Sequence, residues 1–518
     1  MGFLHSLPDG LSQLLSLKPL LGLAFGTIYG FTFGLVPGLQ PITALAVILP
    51  FTFTMDPVVA MYVFAGLLGA NGRGGAIPAI ILGIPGTAQN AATVFDGFPM
   101  AQRGEASRAL GIASATAMLG ASFGLLVLIV FIPVFIPFLL NFGPAELFWI
   151  MTFGLVAMSA ALPGPFIKGL FAVTLGIVLS SVGYGGPAVA VPRFTFGSIY
   201  LVDGIDLVVI ISGLLVASQA FVYLFERADA PKAKAHPSTS QVRWREFFAG
   251  MAEALRYPGA IVRCSTLGTL VGAIPGVGGK VAQFMSYNLG YATSREREKF
   301  GHGSTEGLIA AEAATDAKEG GMLLPTFMFG IPGNGEMAFV LAAWQIYGLE
   351  PGPFFLNEHS DLAWALILGL FVANILATAL TLACSSTVTR IPNIRPEIIG
   401  LMVILVSALA VMAVRSSLWD VGLLLMTGLA GYLLMVAGIS VIGVVIGFVL
   451  GHLMESSFYT AVQSGLGDYR IFFESSVSMT MAVGTGLVVI LVIIRAVMRF
   501  RQRDRLDTGA PVAAGRLF

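Results

Sequence analysis

Residues 74–91 read GGAIPAIILGIPGTAQNA, and residues 321–338 read GMLLPTFMFGIPGNGEMA. Aligned without gaps, the two share Gly74/Gly321, Pro78/Pro325, Gly83/Gly330, Ile84/Ile331, Pro85/Pro332, Gly86/Gly333 and Ala91/Ala338. Each copy is apolar, yet Gly-Ile-Pro-Gly interrupts it. Small or amide-bearing residues follow: Thr87, Gln89 and Asn90 in one, Asn334 and Glu336 in the other. Proline removes a backbone donor and glycine frees the dihedrals, so neither copy is expected to cross a bilayer as one smooth helix. At membrane depth a broken helix is tolerated only inside protein or beside a water-filled cavity. Two such breaks at corresponding places in two halves point to a transport site.

Composition sets the class. Of 518 residues, 56% are hydrophobic and only 11% charged, against about 25% charged in a soluble domain. The mean hydropathy is +0.87. An all-α, polytopic membrane protein is expected, with the lipid bilayer as its surroundings. Lys+Arg and Asp+Glu both number 28, and no basic cluster is interleaved with aromatics, so nucleic acid is not an expected partner. Cys264 and Cys384 lie in apolar stretches and the histidines lack ligand spacing, so neither a disulfide nor a metal site is expected. No removable signal peptide is apparent at the N-terminus.

A helix needs about 20 apolar residues to cross a bilayer. After a short interfacial lead-in over 1–18, candidate spans in the first half are 19–36, 40–54, 57–71, 108–139, 145–162, 165–184 and 205–225, with the broken segment 74–91. The second half offers 259–275, 278–291, 304–317, the broken segment 321–338, then 361–389, 397–415, 418–436, 438–454 and 477–498. About twelve crossings are expected. The division is a first membrane half over 1–225, a hydrophilic linker over 226–256, a second half over 257–500 and a disordered tail over 501–518. Arg227, Lys232, Lys234, Arg243 and Arg245 in the linker, with Arg495, Arg499, Arg501, Arg503 and Arg505 near the end, place linker and tail in the cytoplasm.

The repetition extends beyond the breaks. Gly30-x-x-x-Gly34-x-x-Pro37-Gly38 returns as Gly268-x-x-x-Gly272-x-x-Pro275-Gly276. Small residues at this spacing let helix backbones approach closely, and alone they imply only packing. Together with PxxxxGIPG in the same order in both halves, they imply an internal duplication.

The two breaks offer chemistry suited to an anion. Unpaired N–H groups and the positive dipole end at an interrupted helix attract negative charge. Gly83, Pro85, Gly86, Gly330, Pro332 and Gly333 form the tips, and Thr87, Asn90 and Asn334 add neutral polar groups. The alternative is that these polar groups only satisfy the broken backbone. Arg73 suits bidentate carboxylate binding, or equally an ion pair at a span end. Glu336 is a candidate for ion coupling. Glu312, Asp316 and Glu319 fall on one helical face at i, i+4 and i+7, which reads as a cation or proton path through Glu312 and Asp316, or as an amphipathic surface helix with Lys318 as partner. Asp96 in FDGFP reads as a cap or turn residue.

Enzymatic readings fail on their residues. Gly465-Leu466-Gly467-Asp468 resembles the GxGD pattern of intramembrane aspartyl proteases, but no Tyr-Asp dipeptide occurs in any span to supply the second acid. Gly276-Val277-Gly278-Gly279-Lys280 is followed by Val281 where a phosphate loop needs Ser or Thr. No enzyme activity and no cofactor are expected.

GLVPGLQPITALAVILPFTF (34–53), GIPGTAQNAATVFDGFPMAQRGEASRALG (83–111), RCSTLGTLVGAIPGVGG (263–279), FGHGSTEGLIAAEAATDA (300–317) and LPTFMFGIPGNGEMA (324–338) resemble the TctA family, the large membrane subunits of tripartite tricarboxylate transporters. The resemblance implies a secondary carrier in the bacterial inner membrane that imports small organic anions, often carboxylates. It also implies an ion gradient as driving force, Na⁺ or H⁺, and two partners: a small TctB-like membrane subunit and a periplasmic TctC-like solute-binding protein. A passive organic-anion channel, or a scaffold subunit without its own transport site, is the alternative. The chain departs from the family's pattern at Asn71-Gly72-Arg73-Gly74-Gly75, at Thr315-Asp316-Ala317-Lys318-Glu319 and at Glu474-Ser475. Those departures leave the substrate open.

Overall fold

The computed structural model describes residues 2–36, 40–139, 142–162, 164–184, 191–225, 243–275, 278–350, 352, 355–384, 396–415 and 417–507. Among them the secondary structure is helical, apart from one isolated bridge between Gly183 and Arg193. The helices that position the site are α1 (Leu17–Leu35), α2 (Pro57–Leu82), α3 (Thr93–Gln102), α4 (Ala106–Leu139), α5 (Trp244–Ala254), α6 (Pro258–Gly272), α7 (Gly278–Thr293), α8 (Thr305–Phe329), α9 (Gly335–Ile346) and α10 (Ser360–Cys384). They all belong to one compact unit built from residues 1–142 and 205–437. Residues 143–204 and 438–518 form a second.

Among the described residues, five helices are long and apolar enough to cross a membrane: Ala106–Pro137, Leu207–Phe225, Ser360–Cys384, Leu418–Val436 and Val441–Ser464. Phe3–Leu14 and Leu17–Leu35 meet the same criterion together, bent by 81° at their junction. Leu20, Leu21, Phe25 and Ile28 on α1, and Leu126, Val130, Phe131 and Val134 on α4, are exposed. Continuous apolar faces of this kind suit lipid rather than water.

The small-residue spacing works by backbone contact. A Cβ on Gly30 or Gly34 of α1 would run into the carbonyl oxygens of Leu67 and Asn71 in α2, and one on Gly74 would meet the Phe31 carbonyl. In the second half a Cβ on Gly268 or Gly272 of α6 would strike the backbone of Ala314 and Lys318 in α8, and one on Gly321 would meet the Thr269 carbonyl. These contacts join corresponding positions of the two repeated stretches. Pro37, Gly38 and Gly276 lie outside the described residues.

The breaks fall at the Gly-Ile-Pro-Gly motifs, and the prolines one turn earlier do not interrupt the helices. α2 runs unbroken from Pro57 through Gly72–Gly75 and Pro78, so the separate span at 57–71 and the start of the broken segment at 74 merge into one helix. α8 likewise passes through Pro325. Each stops at a left-handed glycine, Gly83 at φ +69° and Gly330 at φ +65°. The following amides fold back in the same way: Ile84 donates to the Pro78 carbonyl at 3.3 Å and Ile331 to the Pro325 carbonyl at 3.2 Å. Only glycine reaches that conformation without strain.

Residues 226–242 of the linker lie outside the described residues, and the rest of it contains α5. Arg108 at the start of α4 donates to both Glu253 carboxylate oxygens at 2.7 Å, and the Thr305 hydroxyl donates to the same group at 2.9 Å. The Arg108 hydrogen bonds hold the Glu253 carboxyl below its ordinary range. At the other end, the helix Ser476–Asp507 extends through Arg501, Arg503 and Arg505, and residues 508–518 lie outside the described residues.

In the second unit the helices Phe166–Ser180 and Val441–Ser464 cross through glycine, with Gly176 against the Val444 carbonyl and Gly447 against that of Val173. Ser475 hydrogen-bonds to the carboxylate of Glu146, which also accepts from Ser478 at 3.0 Å.

Gly272→Leu is expected to disrupt the α6–α8 contact at a cost of about 1–3 kcal/mol or more, read as a lower melting temperature and less monodisperse protein in detergent. An unchanged profile would contradict the backbone contact. Glu253→Gln removes a part-exposed pair worth about 1 kcal/mol. Because the folded carboxyl is depressed, its contribution is present at neutral pH and lost as pH falls through the folded value. The wild-type advantage in melting temperature should therefore vanish in acid; an advantage independent of pH would remove the pair from the account.

Candidate functional site

Each break leads into polar residues that fold back onto the protein. After Gly83, the Gly86 amide donates to the Gly75 carbonyl at 3.1 Å. The Thr87 hydroxyl donates to Asn90 Oδ1 at 2.6 Å, and Asn90 Nδ2 donates to the Gly72 carbonyl at 3.0 Å. Thr87 and Asn90 are buried. After Gly330, the Gly333 amide reaches the Thr326 hydroxyl at 3.4 Å. Asn334 caps α9, accepting from the Met337 amide at 2.9 Å, and its Nδ2 donates to Glu336 Oε2 at 3.2 Å. In this conformation the tip side chains satisfy the interrupted backbone.

Between the tips lies the middle of α8. Residues 307–323 are all buried, which corrects the surface-helix alternative for Glu312, Asp316 and Glu319. The helix is close-packed because Gly120 and Gly124 of α4 meet the Ala313 and Ala317 carbonyls on one side, while Gly268 and Gly272 of α6 cover another. Its start is fixed by Asp96 of α3, which accepts from the Gly303 and Ser304 amides at 2.9 and 2.7 Å and from the Tyr287 hydroxyl at 2.8 Å. The expected local turn at FDGFP is instead part of α3, and Asp96 serves the start of a distant helix, α8, whose own N-cap is Ser304.

Arg73 of α2 holds the centre together. Its Nε donates to Asp316 Oδ2 at 3.1 Å, Nη1 to the Ser114 carbonyl of α4 at 2.6 Å, and Nη2 to Asn374 Oδ1 of α10 at 3.2 Å. Both charged partners are almost fully buried, at 2% and 3% exposure. One turn from Asp316, Glu312 accepts from the Thr93 hydroxyl, which itself accepts from Gln283 Nε2 of α7 at 2.9 Å. Lys318 extends past Gly279 toward the second tip, where its Nζ lies 4.0 Å from Glu336 Oε2.

The structure therefore brings Arg73, Glu312, Asp316 and Glu336 into one region with the two tips. Asn374, Gln283 and Lys318 belong there too. Asn374 gave a signal in sequence, as an amide within the apolar run LFVANILATAL. Gln283 and Lys318 gave none as site residues, since each reads as part of an ordinary polar helix face.

Buried ionic groups at broken helices inside an apolar, all-helical bundle define a multi-pass membrane transport protein. Residues 20–446 match the tripartite tricarboxylate transporter TctA family, and the chain belongs to that family. It is similar to an uncharacterized 52.8 kDa protein in the TAR-I ttuC' 3' region of Agrobacterium vitis, at 29% identity over 469 residues, covering 90% of this chain and 91% of that protein. A second uncharacterized protein, in the TAR-II ttuC' 3' region of the same organism, is 27% identical over 239 residues, 46% of this chain and 98% of its own length. No solved structure matches the chain.

Arg73→Leu leaves the Asp316 carboxylate buried without its cation and should cost about 3–5 kcal/mol. The double variant Arg73→Leu/Asp316→Leu removes both charges and should recover much of that loss in thermal denaturation. Additive losses would mean the two side chains do not interact as described.

Proposed function

We propose that this chain is the large membrane subunit of a tripartite carrier that imports small organic anions, carboxylates foremost, across the bacterial inner membrane. The reading includes an ion gradient, Na⁺ or H⁺, as driving force, a periplasmic solute-binding protein that delivers the anion, and a small membrane subunit. It also includes an inner-membrane fold of about twelve crossings in two repeated halves, with the C-terminal end in the cytoplasm. The observation that carries it is the pair of helices stopped inside the protein at Gly83 and Gly330, each followed by buried polar chain.

The chemistry is that of binding without trapping. A carboxylate leaving water must find donors at once, yet fixed charges in a low-dielectric site would hold it too tightly for release. Backbone amides around Gly83, Pro85, Gly86, Gly330, Pro332 and Gly333, with Thr87, Asn90 and Asn334, are neutral donors that exchange protein partners for ligand. Arg73 and Asp316 set the spacing of the helices that carry them, and Glu312, Asp316 and Glu336 are the coupling candidates. In the proposed cycle, the bundle containing both tips shifts relative to the rest of the protein and exposes them to each side in turn.

The direct test is uptake of labelled mono-, di- and tricarboxylates by proteoliposomes containing this chain and both partners, under separately imposed Na⁺ and H⁺ gradients. Accumulation that requires the binding protein and collapses with one gradient is the expected result. Equilibration without accumulation would make the protein a channel, and no flux with verified assembly would make it a scaffold or a carrier of another substrate class. Asn334→Ser keeps an N-cap acceptor for α9 but removes the amide donor. Uptake through this variant should fall several-fold with membrane abundance unchanged; unaltered uptake would take Asn334 out of the site.

A further inference from the structure

The buried charges around α8 do not balance. Among the described residues, the ionic groups here are Arg73 of α2, Glu312, Asp316, Lys318 and Glu319 of α8, and Glu336 at the start of α9. Two cations face four acids. Arg73 is paired with Asp316 at 3.1 Å, and Lys318 has Glu336 as its nearest carboxylate at 4.0 Å. That leaves Glu312 and Glu319. The first accepts the Thr93 hydroxyl, but Glu319 Oε2 has no hydrogen-bond partner among the described residues, and neither has Lys318 Nζ. Glu319 is 3% exposed. The helices packed beside its stretch of α8 bring it no further charge: α4 presents Gly124 there and α6 presents Thr269 and Gly272. The side chain of Lys280 in α7 lies outside the described residues, and even counting its charge, one acid remains in excess.

A buried carboxylate oxygen with no donor, and no cation within ion-pair distance, is costly to leave ionised. Such an acid either takes a proton or gathers a cation. A bound cation needs several converging oxygens, which backbone carbonyls also supply; among the described residues no three acidic, histidine or cysteine side chains converge here. A proton needs one carboxylate.

We propose that Glu319 is a proton-binding site of this carrier, protonated while α8 is enclosed and ionised when the cluster opens to water. The proton comes from water on one side as the carboxylate closes into the protein, and returns to water on the other as the O–H bond breaks. Lys318 sets the balance, because its ammonium lies beside both Glu319 and Glu336 and favours ionisation as soon as water can reach the pair. The inference rests on the carrier reading and deepens it by naming the coupling ion and the residue that carries it.

Two measurements separate the inference from the carrier reading. The first needs no substrate. Infrared difference spectra of the purified full chain in lipid nanodiscs, titrated with pH, should contain the carbonyl band of a protonated carboxylic acid. Carbon-13 labelling of glutamate should shift that band, and Glu319→Gln should remove the component that persists in Glu312→Gln. No protonated glutamate band in the wild type, or a band that Glu319→Gln leaves unchanged, overturns the proposal even if transport is confirmed. The isotope shift reports on the wild-type protein, so a variant that fails to fold does not remove the test: a label-insensitive band excludes glutamate by itself. The second is carboxylate uptake by the complete system in proteoliposomes. Glu319→Gln should lose accumulation driven by a proton gradient while retaining exchange of labelled for unlabelled carboxylate. Accumulation retained by Glu319→Gln refutes the site, whereas absence of uptake in the wild type refutes the carrier reading and leaves the infrared result to decide the proton site.

Discussion

A buried ion pair constrains this protein more than any other contact. Arg73 and Asp316 are 243 residues apart in sequence, and together they join α2 to α8 across the two halves of the chain. The remaining guanidinium donors fasten the same point to the Ser114 carbonyl on α4 and to Asn374 on α10. In a low-dielectric interior, breaking such a pair leaves a bare charge. The four helices must therefore keep their spacing at this level in any motion that leaves the pair enclosed. Both tips emerge from helices fixed by this pair, so a motion that exposes one alters the surroundings of the other.

Glycine makes the ion pair geometrically possible. The charged stretch of α8 is wrapped on two sides by helices approaching at backbone distance, through Gly120 and Gly124 on one face and Gly268 and Gly272 on the other. Larger residues would push these helices outward, open a path for water and weaken the electrostatic isolation of the cluster. The two stopped helices exploit the other property of glycine. Gly83 and Gly330 turn the chain out of the helix in nearly the same conformation, and the residues that follow satisfy local backbone groups in this state. Such neutral hydrogen bonds are readily exchanged for those of a carboxylate, which is the behaviour the proposed transport cycle requires.

The location of both interruptions was legible in sequence because Gly-Ile-Pro-Gly removes donors and permits a left-handed residue, whatever surrounds it. Helix continuity through Gly72–Gly75 was not, since three glycines around Arg73 read locally as a break, while in the folded protein Gly74 and Gly75 allow the approach of the Phe31 carbonyl and the Asn90 side chain. Charge placement was harder still. Periodicity put Glu312, Asp316 and Glu319 on one face but carried no information about whether water or protein lay against it. The partner of Arg73 depends on a contact between distant segments, which no local pattern encodes. Lys318 reads as the neutralising neighbour of three acids, yet in the structure its closest carboxylate belongs to Glu336 on the next helix.

The central claim is that both broken helices present their tips alternately to the two sides of the membrane. Its most direct test is the accessibility of single cysteines at Ala88→Cys and Gly335→Cys, in a background with Cys264 and Cys384 replaced by serine. A membrane-impermeant thiol reagent would be applied to right-side-out and inverted vesicles, with and without carboxylate and each ion gradient. The account predicts that both positions react from both sides, and that substrate and the driving ion shift the preference for the two together. Reaction from one side only under every condition would contradict it.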